Sequence, residues 1–456
     1  MQYFIDNVFV IPVLDQYMLY NPLNGRYALL NQSGVSLVKN AVTGVARKIP
    51  DDFHELIEIL CSPGVMRPEK AGAIVPEFLG IIPSRTCNMA CAHCDFGAHQ
   101  EKDARLDADI MITAIDWFAG LCKQNRRKSL PVQFFGGEPF VERELVDIAV
   151  HHARFVASRN RLVPHFEVLT NGYYKESRRL FIRDYFDHVI VSLDGFKVHH
   201  DQTRMAAGNK STYETVVETV KSLSGHNIQL SIRCCVTSES VQDMEKIAAW
   251  FCRKFKPDKV NFETLTENPQ TRRAGLCPPD PYVFAEHCIK AWRVLREHGV
   301  EPAYAPVALN KPQTTSCPVG RDVVILHPDG MIASCYLQEV DWTGRGMDLS
   351  VGFIRNGKVE LDKEQIHSFR NQLEAKSRCR NCFCRYGCAG GCHVNNTYPG
   401  CSSVYENFCI HTRIITACRL LEEMGEESLV DALLQDETAL ENLALYPSDK
   451  LLDFED

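Results

Sequence analysis

The amino-acid sequence predicts an α/β protein built on a parallel sheet, open or partly closed into a barrel, with a small unit ahead of it and a cysteine-rich unit behind. Three observations predict this. Between residues 78 and 265, short apolar runs alternate with amphipathic helical segments. A hairpin signal stands alone near the start of the chain. Cysteines are crowded into two places, one just after the first apolar run and one beyond residue 310.

In chain order, segments 17–21 and 26–30 read as strands around Asn24-Gly25, a strong two-residue hairpin signal. Helical stretches follow at 33–41 and 51–61, and Pro63-Gly64, Pro68 and Pro76 mark a linker. Strands are expected at 78–82, 132–135, 166–169, 189–192, 229–232 and 260–262, with helices at 109–123, 142–158, 175–185, 212–224 and 241–255. Such sheets place chemistry at the C-terminal ends of their strands. Cys87, Gly136-Gly137-Glu138, Thr170-Asn171-Gly172 and Ser192-Leu193-Asp194-Gly195 fall at those ends. Residues 280–298 read as a further helix. From residue 422 onward the chain has twelve acidic residues and one lysine, which reads as a solvated helical end.

A net charge of −8 without a long Lys/Arg run argues against a nucleic-acid partner. No apolar stretch approaches a membrane span, and no basic segment precedes an apolar one at the N-terminus, so a cytoplasmic protein without a membrane partner is expected. Twenty cysteines in such a compartment point to metal rather than to disulfides. Cys61, Cys122, Cys234, Cys235, Cys252, Cys277, Cys288 and Cys418 stand outside any ligand pattern and read as buried, unreactive thiols.

Cys87-x3-Cys91-x2-Cys94 places three thiolates in one tight loop after the first strand of the alternating region. They can hold three irons of a [4Fe–4S] cube and leave the fourth open to a chelating amine and carboxylate. The alternative is zinc, with His93 or a distant residue as fourth ligand. Gly136-Gly137-Glu138-Pro139 ends the second strand; glycines admit close backbone approach, and Glu138 can accept from an ammonium. Arg204, in His200-Asp201-x2-Arg204, is expected to pair with Asp201.

The cysteine triplet, with a ring residue just before its third thiol, resembles the radical S-adenosylmethionine superfamily. That resemblance implies a partial parallel (β/α)6 barrel over residues 76–300. It also implies a cluster on Cys87, Cys91 and Cys94 and S-adenosylmethionine as cofactor. His93 would lie beside the adenine, Gly136, Gly137, Glu138 and Pro139 would receive the methionine amine, and Ser192 and Asp194 would contact ribose and carboxylate.

Farther on, Cys317 and Cys335 bracket Gly330, and Cys379-x2-Cys382-x5-Cys388-x3-Cys392 precedes Cys409. Spacings this short demand a metal, with zinc again the alternative. The order resembles the SPASM extension of the same superfamily, here over residues 301–425, which carries two auxiliary [4Fe–4S] clusters and so brings the expected number to three. By that likeness Cys379, Cys382, Cys388 and Cys409 bind one auxiliary cluster, and Cys317, Cys335 and Cys392 the other. Residues 318–334 contain no further cysteine, which leaves the nearer cluster an open iron unless Cys277, Cys384 or Cys401 fills it.

Segment 17–60 resembles the PqqD-like leader-peptide-recognition domains, winged-helix-like units found on enzymes that modify ribosomally made peptides; Tyr27-Ala28-Leu29-Leu30-Asn31, Gly34 and Gly44 carry the likeness. A unit over 1–75 would take a leader peptide as an added strand. The whole then resembles a SPASM peptide maturase: a 5′-deoxyadenosyl radical takes hydrogen from a precursor peptide, and a thioether or C–C crosslink results. A low-potential electron donor, flavodoxin or ferredoxin, is implied. The alternatives are an anaerobic sulfatase maturase forming formylglycine and a non-catalytic, zinc- or cluster-stabilised binding protein. Residues 426–456 are expected to be an acidic tail.

Overall fold

The computed structural model describes residues 5–46, 48–63, 75–96, 105–309, 311–315, 317–370, 376–394, 402–445 and 449–454. Two sheets organise it. The smaller is antiparallel and contains β1 (Phe9–Val13), β2 (Gln16–Asn21) and β3 (Arg26–Leu30), with helices Gln32–Val42 and Asp51–Leu60 packed beside them. Strands β2 and β3 fall where the Asn24-Gly25 hairpin puts them. β1 was not expected, because Pro12 argues against a strand interior. It is tolerated because the strand on the far side of β1 pairs only with Phe9 and Val10.

The large sheet begins with six parallel strands in sequential order: β4 (Leu79–Ile81), β5 (Ser129–Phe134), β6 (Val163–Thr170), β7 (His188–Ser192), β8 (Gln229–Val236) and β9 (Lys259–Thr264). Helices Ala108–Gln124, Arg143–Asn160, Glu176–Tyr185, Tyr213–Leu223 and Met244–Phe255 connect them. Every expected strand and helix of this region is present. Side-chain alternation divides the sheet faces: Leu130, Val132 and Phe134 of β5 are buried under helices, while Gln133 and the following Phe135 point to the opposite face. Asp107 caps the first helix by accepting from the amides of Asp109 and Ile110.

Beyond β9, helix Pro281–Glu297 leads to β10 (Glu301–Ala303), a further parallel strand at one edge. At the other edge β11 (Val324–Leu326) adds in parallel to β4, followed by the antiparallel β12 (Met331–Ala333), β13 (Ser350–Arg355) and β14 (Lys358–Leu361). The eleven-stranded sheet is therefore open, with β10 and β14 at its ends.

The acidic end is helical, but it is not solvated on every side. In helices Glu427–Gln435 and Glu437–Leu445, Val430, Leu433, Leu440 and Leu443 are buried. Apolar residues three apart give each helix a stripe that the acidic composition conceals. The chain then closes on its own beginning: β15 (Asp449–Lys450) pairs with β1, and Leu451 and Phe454 enter the core of the small unit. Among the described residues no helix is long and apolar enough to cross a membrane.

Candidate active site

The cysteine loop leaves β4 and is held by main-chain bonds on both sides. Ala90 and Ala92 donate to the carbonyls of Met205 and Thr203, and Met89 bridges to Ala206. On the β5 side the amides of Gly137 and Glu138 donate to the carbonyls of Ser84 and Thr86. This approach explains the glycine pair. A Cβ on Gly136, whose φ is +147°, would stand 2.7 Å from the Ser84 carbonyl oxygen, and one on Gly137 2.2 Å from that of Thr86. The glycines thus admit the cysteine loop itself, and their backbone also lines the cavity above it.

That cavity, about 180 Å³, is walled by Cys87, Cys91, His93 and Cys94 on one side and by the C-terminal ends of β5 to β9 on the other. Burial pushes the thiols up, Cys87 to about 12 and Cys91 to about 11, with Arg204 opposing the shift at Cys91. Thiols so disposed give up their protons to a cationic centre rather than to water. A cubane spreads its thiolates over separate irons, and a loop of three converging soft donors fits it.

Glu138 lies beneath the cavity rather than on its wall. It is 1% exposed, and its carboxylate accepts from Thr170 Oγ1 (2.9 Å), the Asn171 amide (2.7 Å) and the Phe140 amide (3.2 Å). Burial nonetheless raises it to about 7. The carboxylate thus holds the β6 end in place. Pro139 opens a short 3-10 turn capped by Glu138 and is buried. Asn171, fixed by that bond, turns its amide toward Cys87 Sγ (3.5 Å) and Asn88 Oδ1 (2.8 Å).

Ser192 lines the cavity; Asp194 does not. Asp194 is fully used within the protein: Thr203 Oγ1 (2.6 Å) and Arg204 Nε (2.7 Å) donate to Oδ2, and the Cys235 amide (2.9 Å) to Oδ1. The expected Arg204–Asp201 pair does not form. Asp201 instead pairs with Lys197 and accepts from Ser211, while Arg204, seated on Asp194, presents its guanidinium to the cavity. Arg204 and His93 hold Asp194 at about 2 against burial. His93 is pushed down to about 3, by burial first and Arg204 second, so its imidazole is neutral, and its buried Nδ1 has no hydrogen-bond partner among the described residues.

Several lining residues lay outside the sequence reading. Arg233 and Cys235 project from β8 and Glu263 from β9, with Thr264 and Thr266 beyond. Arg233 and Glu263 form an ion pair. All lie at or just beyond strand C-terminal ends, which is the one signal that could have found them. Cys235, read as an inert buried thiol, is half-buried on the cavity wall. Asp95, also on the wall, accepts from Asn268 Nδ2 (2.6 Å), and burial raises its carboxyl.

The later cysteines form two sets. Burial raises Cys317 to about 11 and Cys335 to about 12, and Cys392 lies near enough to add to both shifts. Cys379, Cys382, Cys388 and Cys409 line a second cavity, and Cys384 joins them there. Cys384 is therefore at the distal set and not the nearer one; Cys277 is exposed, and Cys401 lies outside the described residues. Cys382 is lowered to about 6, chiefly by a hydrogen bond from Cys384 and then by Arg413. The Lys376 ammonium donates to the Gly390 carbonyl (2.7 Å); burial lowers it, against the opposing effect of the Cys379, Cys388, Cys317 and Cys392 thiols.

Residues 81–251 match the model of the radical SAM superfamily. Among curated proteins, the chain is 19% identical over 332 residues to a cysteine-type anaerobic sulfatase-maturating enzyme of Clostridium novyi, covering 67% of this chain and 85% of that one. It is 23% identical over 335 residues to the enzyme of that description from Clostridium perfringens, covering 68% and 86%. Among solved structures, native anSMEcpe with bound AdoMet and Kp18Cys peptide superposes with a TM-score of 0.59 at 19% identity, over 76% of this chain and 99% of that one. Streptococcus suis SuiB bound to precursor peptide SuiA superposes with a TM-score of 0.50 at 13% identity, over 87% and 96%. A β4-to-β9 parallel sheet with three cysteines after its first strand, matched across 81–251, makes this region a radical SAM domain, in a chain similar in fold to anSMEcpe and SuiB.

Proposed function

We propose that this enzyme modifies a ribosomally made precursor peptide, using S-adenosylmethionine and a [4Fe–4S] cluster held by Cys87, Cys91 and Cys94. The observation that carries this reading is the cavity in which those three cysteines face Arg204, Ser192 and the glycine backbone of Gly136 and Gly137. When bound, the cluster supplies the electron that splits the sulfonium and yields a 5′-deoxyadenosyl radical able to take a hydrogen atom from carbon.

The chain's own residues do the rest. Arg204, immobilised by Asp194, offers a guanidinium to the cofactor's carboxylate. Neutral His93 packs beside the adenine without adding charge. The main chain of Gly136 and Gly137 takes the amine, with Glu138 positioning the strand end below. Phe96 and Phe135, their rings tilted at 52° with centroids 4.5 Å apart, close one wall against water. Glu263, paired with Arg233, and Asp95, held by Asn268, are the carboxylates facing the reacting volume that can accept the proton released when the substrate is oxidised by two electrons.

Peptide recognition is assigned to residues 1–75. Among the described residues β3 is hydrogen-bonded on one side only, and its free edge can take an extended leader as an added strand. The two later cysteine sets are assigned one auxiliary cluster each, and the product is a thioether or C–C crosslink. An electron donor of the flavodoxin or ferredoxin class completes the system. The curated relatives favour a second reading, formylglycine formation on a sulfatase.

One experiment separates the two. Anaerobically reconstituted enzyme with S-adenosylmethionine and dithionite is given, in parallel, a leader-bearing precursor peptide encoded beside this gene and a sulfatase peptide, and products are read by mass spectrometry. Loss of two hydrogens from the precursor, with 5′-deoxyadenosine release, supports crosslinking. Formylglycine on the sulfatase peptide alone overturns it. A reduced count of alkylatable cysteines in the product identifies the thioether.

A further inference from the structure

Three aromatic rings in contact run from the reaction cavity to the nearer cysteine set. Phe96, two residues after Cys94, and Phe135, just past the end of β5, both line the cavity. Their ring centroids are 4.5 Å apart, and Phe135 is again 4.5 Å from Tyr336, which directly follows Cys335 in the chain. The interplanar angles of 52° and 33° make both contacts tilted ones.

The sheet holds Tyr336 in this place by two means. Gly80 of β4 leaves room for its ring: a Cβ there would stand 3.0 Å from the hydroxyl and 3.3 Å from Cε1. The hydroxyl donates to Gln133 Oε1, and from Gln133 a polar row continues over β6, β7 and β8. Gln133 Nε2 donates to Glu167 Oε1, His188 Nδ1 to Glu167 Oε2 (2.7 Å), and Ser231 Oγ to His188 Nε2 (2.9 Å). Each of these four stands two residues before a cavity-lining residue of its own strand, Phe135, Leu169, Ile190 and Arg233. The row is therefore the side-chain layer next to the cavity on the same face of the sheet.

We propose that Phe96, Phe135 and Tyr336 form an electron bridge between the reaction cavity and the centre assigned to Cys317, Cys335 and Cys392. The inference rests on the proposed function, in which a peptide carbon radical forms a bond to a second atom of the peptide. The hydrogen on that atom leaves as a proton to a carboxylate of the cavity. The remaining electron crosses to the nearer centre, which passes from its oxidised to its singly reduced state. No ring is oxidised on the way. Tunnelling weakens steeply across empty gaps, and rings in contact leave none between the cavity wall and the residue beside Cys335.

The test follows the electron itself. The full chain, reconstituted anaerobically, is given a limiting amount of dithionite, mixed with S-adenosylmethionine and the precursor peptide encoded beside this gene, and frozen at intervals. Electron paramagnetic resonance reads the peptide radical and the reduced centre, and 5′-deoxyadenosine and iron are counted in the same samples. In the wild type the reduced centre is expected to rise in step with the nucleoside. Tyr336→Leu and Phe135→Leu, which each remove one ring, are expected to lose that coincidence: the radical accumulates and the reduced centre lags behind the nucleoside. Tyr336→Phe keeps the ring and the wild-type timing. Coincident signals in Phe135→Leu with full iron overturn the proposal, and so does a lag in Tyr336→Phe equal to that in Tyr336→Leu. Where Tyr336→Leu loses iron beside Cys335, Phe135→Leu decides. A wild-type chain that releases nucleoside but alters no peptide removes the proposed function, whereas peptide product without a reduced centre leaves that function standing and removes the bridge.

Discussion

Replacing Asp194 by alanine removes the counterion of a cation held inside the protein. Asp194 is 1% and Arg204 8% exposed, their nitrogen and oxygen are 2.7 Å apart, and the same carboxylate accepts from Thr203 Oγ1 and the Cys235 amide. Breaking a buried pair from one side costs roughly 3–5 kcal/mol, because the remaining charge is left desolvated and alone. For a domain of this size the fall in Tm is on the order of 10 °C. Thermal melts of the reconstituted protein by circular dichroism read the stability, and calorimetry with S-adenosylhomocysteine reads the cavity. A second variant isolates the cause. Asp194→Leu combined with Arg204→Met removes both charges and should recover much of the Tm, since apolar residues of similar volume replace buried pairs at little cost. Nucleoside affinity should stay low in both, because neither presents a seated guanidinium. If Asp194→Ala melted within about 2 °C of wild type with unchanged affinity, the pair would be neither buried nor functional, and Arg204 would have no role in the cavity.

Gly137→Ala drives a Cβ into the Thr86 and Arg85 carbonyls, so the cysteine loop must shift; iron should fall by the content of one cubane, whereas Gly44→Ala, which meets open space at φ +76°, keeps full iron at a cost of about 1 kcal/mol. Glu138 is raised from 4.5 to about 7 by burial, so the folded protein holds this proton more tightly than the unfolded one and loses stability as pH rises across that window, by up to about 3 kcal/mol. The melting deficit of Glu138→Gln relative to wild type should therefore shrink between pH 5 and pH 8; a deficit that grows with pH contradicts the assignment. Leu451 is fully buried against the small unit, and Leu451→Ala should cost about 2–4 kcal/mol and expose residues 1–75 to limited proteolysis while iron content is retained.

The alternating region was legible almost residue by residue because each buried parallel strand is a short β-rich run and each connecting helix has an apolar stripe. Legibility fails where elements are short or where composition misleads. β11 and β12 have three residues each and hold register only through their neighbours. The last two helices hide their leucines among carboxylates. At the site, sequence proximity suggested Asp201 for Arg204, but Asp201 faces Lys197 and Ser211 from the helix Lys197–Thr203, while Asp194 stands at the β7 end where the cavity forms. Spacing did not show that Glu138 accepts from three protein donors, the Phe140 and Asn171 amides and the Thr170 hydroxyl.

Spacing also could not show why cysteines some 240 residues apart belong to one functional surface. The sheet supplies the reason. β11 pairs in parallel with β4, so the turn that follows β11, beginning at His327, is brought beside the loop that follows β4, while β12 runs back antiparallel. Arg85, two residues before Cys87, fastens them: it donates to the Tyr336 carbonyl (2.8 Å) and to His327 Nδ1 (2.9 Å), and His327 Nε2 donates to the Cys335 carbonyl (2.9 Å). His327 is pushed down to about 3 by burial and by Arg85, which leaves the neutral tautomer that this chain of donors requires. The link between the first cysteine loop and the segment that carries Cys335 thus runs through β-strand pairing and the buried Arg85. An enzyme that must pass an electron between the reaction cavity and a second thiolate site needs that separation held constant, and a rigid sheet edge holds it better than any loop.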